Sequence, residues 1–235
     1  LIARMEAVIA TSARTGSYLE VPYTVIRHGV DLERFHPPRS ADETYAATGL
    51  PGMKAIGCFG RIRHQKGTDL FVDSMIALLP DYPEWTAIIA GRTTPEHKGF
   101  EDELRQRIAQ AGLSERIRFI GEIWDVDIWY RRLSLYVAPS RTEGFGVTPL
   151  EAMASGVPTV ASDAGAYTEL IIEGETGAIV PTGKLEAFKT AIERFMADEP
   201  FRARCAERAL THMQDEFPIS GEVQKLLSVY QRVRG

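Results

Sequence analysis

AIGCFGRIRHQKGTDLFVDSMIALLPDYPEWTAIIAG, residues 55–91, holds the smallest unit from which the fold can be read. Ala55–Phe59 is a short apolar run that ends in Gly60. Thr68–Leu79 follows with Leu70, Phe71, Met75, Leu78 and Leu79 near one face of a helix, and Trp85–Ala90 is a second apolar run closed by Gly91. Short, near-continuous apolar runs on either side of an amphipathic helix predict parallel strands buried on both faces.

The same unit recurs along the chain. Strands are predicted at Ile117–Ile120, Leu133–Ala138, Pro158–Ala161 and Ala178–Val180, and helices at Glu101–Ala111, Val126–Arg132 and Pro149–Ser155. Two longer helices follow at about 184–197 and 200–214. Ala7–Ala10 and Tyr23–Ile26 read as two further strands, before a proline-rich junction at Pro37-Pro38-Arg39-Ser40. Val223, Leu226, Leu227, Tyr230 and Val233 give Ile219–Arg234 an amphipathic helical period. The fold class is α/β, a Rossmann-like parallel sheet with helices on both faces. In such sheets ligands bind beyond the carboxyl ends of the strands, so the loops after residues 59, 90, 120 and 138 are expected to converge on one crevice.

Composition narrows the class. The 235 residues carry a net charge of −5, which argues against a nucleic-acid-binding protein. No run of apolar residues is long enough to span a bilayer, and the start, LIARMEAVIATS, lacks the pattern of a signal peptide. It does not begin with Met and reads as cut into an element, so the chain is expected to be part of a longer protein. Cys58 and Cys205 form no C-x-x-C pair and are expected to be buried free thiols. The five histidines show no H-x-x-x-H spacing, and no metal site is expected.

Two loops carry the chemistry. In the first, Gly60 permits close backbone approach, Arg61, Arg63 and Lys66 bring cations, and a helix opens near Thr68. That combination suits a diphosphate, although solvated surface cations would look the same. The second reads RTEGFGVTPLEAMASGVPTVAS, residues 141–162. Thr148-Pro149-Leu150-Glu151 fits a capping box, with Thr148 as N-cap and Glu151 reaching back to it. A carboxylate has spare acceptor sites, so that role leaves room for a ligand. Pro149 has no amide hydrogen, which leaves Gly146, Val147 and Thr148 as anion donors. Glu143, beside Gly144 and Gly146, is either an exposed turn acid or an acceptor for sugar hydroxyls. Asp125-Val126-Asp127 resembles a metal-holding D-x-D, but at a helix start it is expected to be an N-cap and a first-turn acid. Trp124, Trp129 and Tyr130 offer faces on which a base could stack, but are expected to be buried aromatics.

GRIRHQKG (60–67) together with SRTEGFGVTPLEAMASGVPTVASDAGAYTELI (140–171) resembles the retaining, sugar-nucleotide-dependent glycosyltransferases of group 1, built as two facing Rossmann-like domains (the GT-B fold). Glu143 and Glu151 are separated by seven residues, the family's hallmark spacing. VPYTVIRHGVDLERFHP (21–37) is similar to the family's interdomain junction, with His28 where asparagine is usual.

The resemblance implies roles residue by residue. Arg61 and Lys66, after Gly60, would meet the donor diphosphate, and Glu143 the hydroxyls of the transferred sugar. Gly144, Phe145 and Gly146 would face that sugar through their backbone. Val147 and Thr148 would bind phosphate through their amides, Glu151 the ribose, and Gly121, Glu122 and Ile123 would wall the base. It also implies no cofactor and no metal, the nucleotide-sugar being a substrate. Residues 1–37 would end an amino-terminal domain, 38–218 would form the donor domain, and 219–235 a helix crossing back. The chain is most similar to bacterial lipopolysaccharide core mannosyltransferases. That implies GDP-mannose as donor, with a UDP-sugar or a non-catalytic nucleotide-binding module as alternatives. The expected partners are this donor, a glycan or lipid-linked glycan acceptor and the missing amino-terminal domain. The expected location is the cytoplasm, peripheral at the inner membrane face if the acceptor is lipid-linked.

Overall fold

The computed structural model describes residues 5–234; residues 1–4 and 235 lie outside the described residues. The chain opens with β1 (Ile9–Ala10), α1 (Ala13–Gly16) and β2 (Thr24–Val25), the two strands pairing in parallel. It continues through β3 (Lys54–Phe59), α2 (Thr68–Leu78), β4 (Trp85–Ala90), α3 (Lys98–Gln110) and β5 (Ile117–Gly121). Then come α4 (Val126–Arg131), β6 (Leu135–Ala138), α5 (Val147–Ala154), β7 (Thr159–Ser162), α6 (Tyr167–Leu170) and β8 (Gly177–Val180). Three helices close the chain: α7 (Leu185–Ala197), α8 (Glu199–Glu216) and α9 (Ile219–Arg234).

β3 to β8 form a six-stranded sheet in the order β5-β4-β3-β6-β7-β8, every pair parallel. The order reverses between β3 and β6. That is the topological switch point, where the loops leaving the two strands diverge and open a crevice.

Side chains alternate across the pleat into two apolar layers. Ile56, Leu135 and Val137 point into one layer with Phe71 and Met75 of α2 and Phe188 and Ile192 of α7. Ala55, Phe59, Tyr136 and Ala138 point into the other with Tyr130 of α4, Leu150 and Met153 of α5 and Met213 of α8. Because both faces are covered, β4 is buried at every position, which is why it reads as an unbroken apolar run. α8 joins the layers: Phe201 and Cys205 belong to the first, Ala209 and Met213 to the second.

The opening segment is tied to this body by polar contacts. The Glu169 carboxylate accepts from the amides of Ala13 (3.1 Å) and Arg14 (2.9 Å) and pairs with Arg27 (3.3 Å). The Glu222 carboxylate of α9 accepts from the Gly29 amide at 2.7 Å and bonds His28 Nδ1 at 2.9 Å. Both cysteines are buried and unpaired, and burial pushes the Cys58 thiol up to about 12.

Candidate active site

The loops that leave β3 and β6 are locked together at the switch point. The Arg141 guanidinium grips the Asp69 carboxylate with two bonds of 2.7 Å and donates to the His64 carbonyl at 2.7 Å. The Arg141 amide donates to the Gln65 carbonyl at 2.7 Å. Gly67, left-handed at φ 70°, lies so close to Pro139 that a Cβ there would overlap the Pro139 carbonyl. The crevice between the loops is lined by Gly60, Arg61, Lys66, Ser140, Thr148 and Tyr167, among others.

Lys66 and Glu143 meet at its edge in a direct ion pair. The same carboxylate accepts from the Tyr167 hydroxyl at 3.0 Å and from the Gly144 amide at 3.1 Å, with Ser140 Oγ at 3.4 Å. Its side chain is only 15% exposed, so it is not a turn acid facing solvent. Burial works against its ionisation, but Lys66, the Tyr167 hydroxyl and the Gly144 amide outweigh burial and hold the carboxyl below the ordinary range. Arg61 is exposed at the crevice mouth.

The second glutamate corrects the sequence reading. α5 begins at Val147, with Gly146 as a left-handed N-cap at φ 80° and no side-chain cap. Thr148 is therefore the second helical residue and Glu151 the fifth, two residues too far along to close a capping box. The early start follows from Gly146, whose conformation lets the chain turn into the helix two residues sooner. It leaves the amides of Gly146, Val147 and Thr148 opening the helix, where no carbonyl lies a turn back to receive them. The Glu151 carboxylate has no hydrogen-bond or ion-pair partner among the described residues. Burial raises its carboxyl above the ordinary range, which the nearby Tyr130 phenol and Arg34 only partly offset. The fully buried Tyr130 hydroxyl itself finds no hydrogen-bond partner among the described residues.

The profile of the glycosyl transferases group 1 family matches residues 42–212. The chain belongs to that family. This glycosyltransferase is 57% identical to the lipopolysaccharide core biosynthesis mannosyltransferase LpcC of Rhizobium leguminosarum bv. viciae, across 100% of the chain and 67% of that protein. It is 54% identical to LpsB, a mannosyltransferase of the same description from Rhizobium meliloti, over 98% of the chain and 67% of the relative. Among solved structures, the C-terminal domain of a group 1 glycosyl transferase (LpcC) from Francisella tularensis superposes with a TM-score of 0.78 at 36% identity, covering 81% of this chain and 100% of that one.

Within this glycosyltransferase the candidate residues are not all in one place. Gly60, Arg61, Lys66 and Thr148 share the switch-point crevice, whereas Glu143, paired with Lys66 of that crevice, lines a neighbouring hollow with Arg14, Thr15, Arg141 and Asp163. Gly144 and Gly146 lie on the loop between Glu143 and α5, and Val147 is the first residue of α5. The Phe145 ring is buried edge-on against His28, with centroids 5.0 Å apart, so only its backbone is available to a ligand. Gly121 and Glu122 line a separate groove with Arg92, Lys98 and Arg105, while Ile123 packs on the layer that holds Tyr130. The four loops thus share one edge of the sheet without sharing one crevice: those after β3 and β6 enclose the first, and those after β4 and β5, with Ile62 from the loop after β3, line the second.

The acidic pair at α4 behaves differently from its expectation in one respect. Asp127 is held by Arg34 (3.2 Å) and Arg131 (3.0 Å), as a first-turn acid with basic neighbours would be. Asp125 occupies the N-cap position, but its side chain makes no capping hydrogen bond. Tyr130 is buried as expected, whereas Trp124 stands 83% exposed beside Ile123. Tyr167 was not among the sequence candidates. It reaches Glu143 from 24 residues away, and its apolar surroundings in AGAYTELI signal only a buried ring.

Proposed function

We propose that this chain carries the donor site of a retaining hexosyltransferase that moves mannose from GDP-mannose onto lipopolysaccharide core or a related glycan. The observation that carries the reading is the placement of Lys66 and the α5 amino terminus on one crevice at the switch point, with Glu143 beside them. Both relatives described above are lipopolysaccharide core mannosyltransferases, which supports mannose as the sugar.

In this reading the diphosphate lies against Lys66, Arg61 and the amides of Val147 and Thr148. Glu143 receives hydroxyls of the sugar, Glu151 those of the ribose, and the 121–123 segment walls the base. The bond from the anomeric carbon to the diphosphate oxygen breaks as an acceptor hydroxyl forms its bond on the same face and passes its proton to the leaving diphosphate. The leaving diphosphate gathers negative charge, and fixed cations and amides aimed at it lower the barrier. No metal is invoked, because Lys66, Arg61 and the helix amides supply the positive charge. We place the acceptor on an amino-terminal domain of the full-length protein. The exposed stripe Ile219, Val223, Leu227, Tyr230 and Val233 along α9 supports a docking face for that domain. No helix among the described residues is long and apolar enough to cross a membrane. We assign the work to the cytoplasmic side, peripheral to the inner membrane where the acceptor is lipid-linked.

Thermal unfolding with GDP, UDP, ADP and NAD, each with and without EDTA, tests the assignment. A ligand at 100 times its Kd stabilises by about 2.7 kcal/mol, which for a chain of this size raises Tm by roughly 5–10 °C. A GDP-selective shift that survives EDTA is the expected result. A UDP-selective shift would change the sugar and keep the class, and a shift only with NAD or with none would overturn the reading.

Glu151 carries a pH prediction. Its folded-state pKa is raised, so the ionised form that accepts two ribose hydroxyls is lost as pH falls through a range above the ordinary carboxylate value. Hydrogen bonds to a charged group contribute about 1.5–3 kcal/mol, so Glu151→Gln should weaken nucleotide binding about 10-fold or more at neutral pH. The gap between wild type and variant should narrow as pH drops through that range. The linkage for stability has the opposite sense. A raised carboxyl makes the folded state hold its proton longer, so this group's contribution to stability falls as pH rises through the same window. Nucleotide titrations at several pH values check the first statement; a wild-type to variant ratio that stays constant with pH would refute it.

A further inference from the structure

Lys66 has two claims on it. In the structure its ammonium pairs with Glu143, and in the reading proposed above, on which this inference rests, it also meets the donor's diphosphate. A diphosphate offers more negative charge than one carboxylate, so the ammonium turns toward it when the donor binds. Glu143 is then left ionised at 15% exposure without its counter-charge. An ionised carboxylate is costly to bury unless other donors hold it.

Tyr167 is built to be that donor. Its hydroxyl lies 3.0 Å from Glu143 Oε2 and also contacts Ser140 Oγ at 3.4 Å. The Tyr167 residue is 1% exposed, and its ring packs on Gly146 so closely that a Cβ there would overlap it. Burial and the neighbouring carboxylate raise the phenol's pKa well above its usual value, which keeps the proton on the donor. The loop that carries Tyr167 is itself fixed to the sugar loop: the Ala166 amide donates to the Gly144 carbonyl at 3.1 Å. A phenylalanine would fill the same volume and supply no proton.

We infer that Tyr167 is a positioning residue for the transferred sugar, whose buried hydroxyl holds the Glu143 carboxylate in place beside the crevice once Lys66 has moved to the phosphates. The consequence is a split between recognition of nucleotide and recognition of sugar. Lys66 and the α5 amides serve the diphosphate whether or not Tyr167 has a hydroxyl. The extra affinity that the sugar adds depends on Glu143 being correctly aimed.

The experiment uses the full-length enzyme as wild type, Tyr167→Phe and Glu143→Gln. Calorimetric titrations measure GDP against GDP-mannose and UDP against UDP-glucose, and kcat is measured for sugar transfer. Tyr167→Phe is expected to keep nucleoside diphosphate affinity within about twofold, to lose most of the affinity added by the sugar, and to lower kcat by about 10-fold or more, in line with leaving a buried charged group short of a hydrogen bond. Glu143→Gln should lose the same sugar increment. If Glu143→Gln loses it and Tyr167→Phe keeps both the increment and kcat, this inference is overturned while the proposed role of Glu143 stands. If Glu143→Gln also keeps the increment, the proposed role of Glu143 fails and this inference with it. Equal weakening of nucleotide and nucleotide-sugar by Tyr167→Phe would show a merely structural ring and overturn the inference too. Should Tyr167→Phe fail to fold, 3,5-difluorotyrosine at 167 takes its place. Its more acidic phenol should bring an alkaline loss of kcat to lower pH, and an unshifted profile would contradict the inference.

Discussion

Lys66→Ala in the full-length enzyme is expected to lower sugar transfer by about 10²-fold or more, the effect typical of removing one group that stabilises developing charge. Lys66 lies on the wall of the switch-point crevice and is paired with Glu143. Alanine removes the ammonium from the leaving diphosphate and also strips Glu143 of its partner. Lys66→Arg separates charge from shape: it keeps the positive charge but replaces a compact ammonium with a planar fork, and should recover only part of the rate. Initial rates of transfer at saturating donor, with single-turnover measurements to isolate the chemical step, check the prediction. Near-normal kcat in Lys66→Ala would remove the residue from the mechanism.

Gly67→Ala is expected to destabilise the protein by about 3 kcal/mol or more, because it combines a left-handed backbone with a steric overlap. Gly67 sits at φ 70° and its missing Cβ would fall on the Pro139 carbonyl. The two loops cannot part to make room without breaking the Arg141 bonds to Asp69 and to the carbonyls of His64 and Gln65. Gly112→Ala is the control. Gly112 has the same φ of 70° but nothing within 4 Å of a Cβ, so it should cost only the backbone term of about 1–3 kcal/mol. Urea unfolding of both variants gives the difference attributable to Pro139. The same substitution should weaken nucleotide binding, since it wedges open the crevice that the two loops enclose; equal stability of the two variants would contradict the steric account.

Much of this fold is legible in the sequence for a physical reason. A strand covered on both faces must be apolar throughout, so Trp85–Ala90 reads with its observed ends, and Ala55–Phe59 falls one residue short of β3. Where a strand's start is shared with a turn, the ends blur. Leu133 reads as strand, but its amide closes the turn after α4 by donating to Tyr130 at 3.0 Å, and β6 begins at Leu135. The short helices α1 and α6, four residues each, are too brief to show a period. Strand order is carried by contacts between layers and not by local pattern, so the switch point between β3 and β6 becomes visible only in the structure.

The candidate site divides in the same way. The loop glycines, Lys66 and the two glutamates are visible because their types and spacings are local. Glu151 misled the sequence reading because Thr-Pro-Leu-Glu fits a helix start, while Gly146 at φ 80° begins the helix earlier. The aromatic neighbours of the glutamates, Tyr167 bonded to Glu143 and Tyr130 lying near Glu151, sit 24 and 21 residues away and bear the marks of ordinary core aromatics. Trp124 breaks the other way, an aromatic expected inside that stands in solvent.

The most direct test of the central claim is a crystal structure of this chain with a bound nucleoside diphosphate. The account predicts the phosphates between Lys66 and the amides of Val147 and Thr148, with the ribose hydroxyls on Glu151. Phosphates bound in the neighbouring groove of Arg92, Lys98 and Arg105, with the switch-point crevice empty, would contradict it.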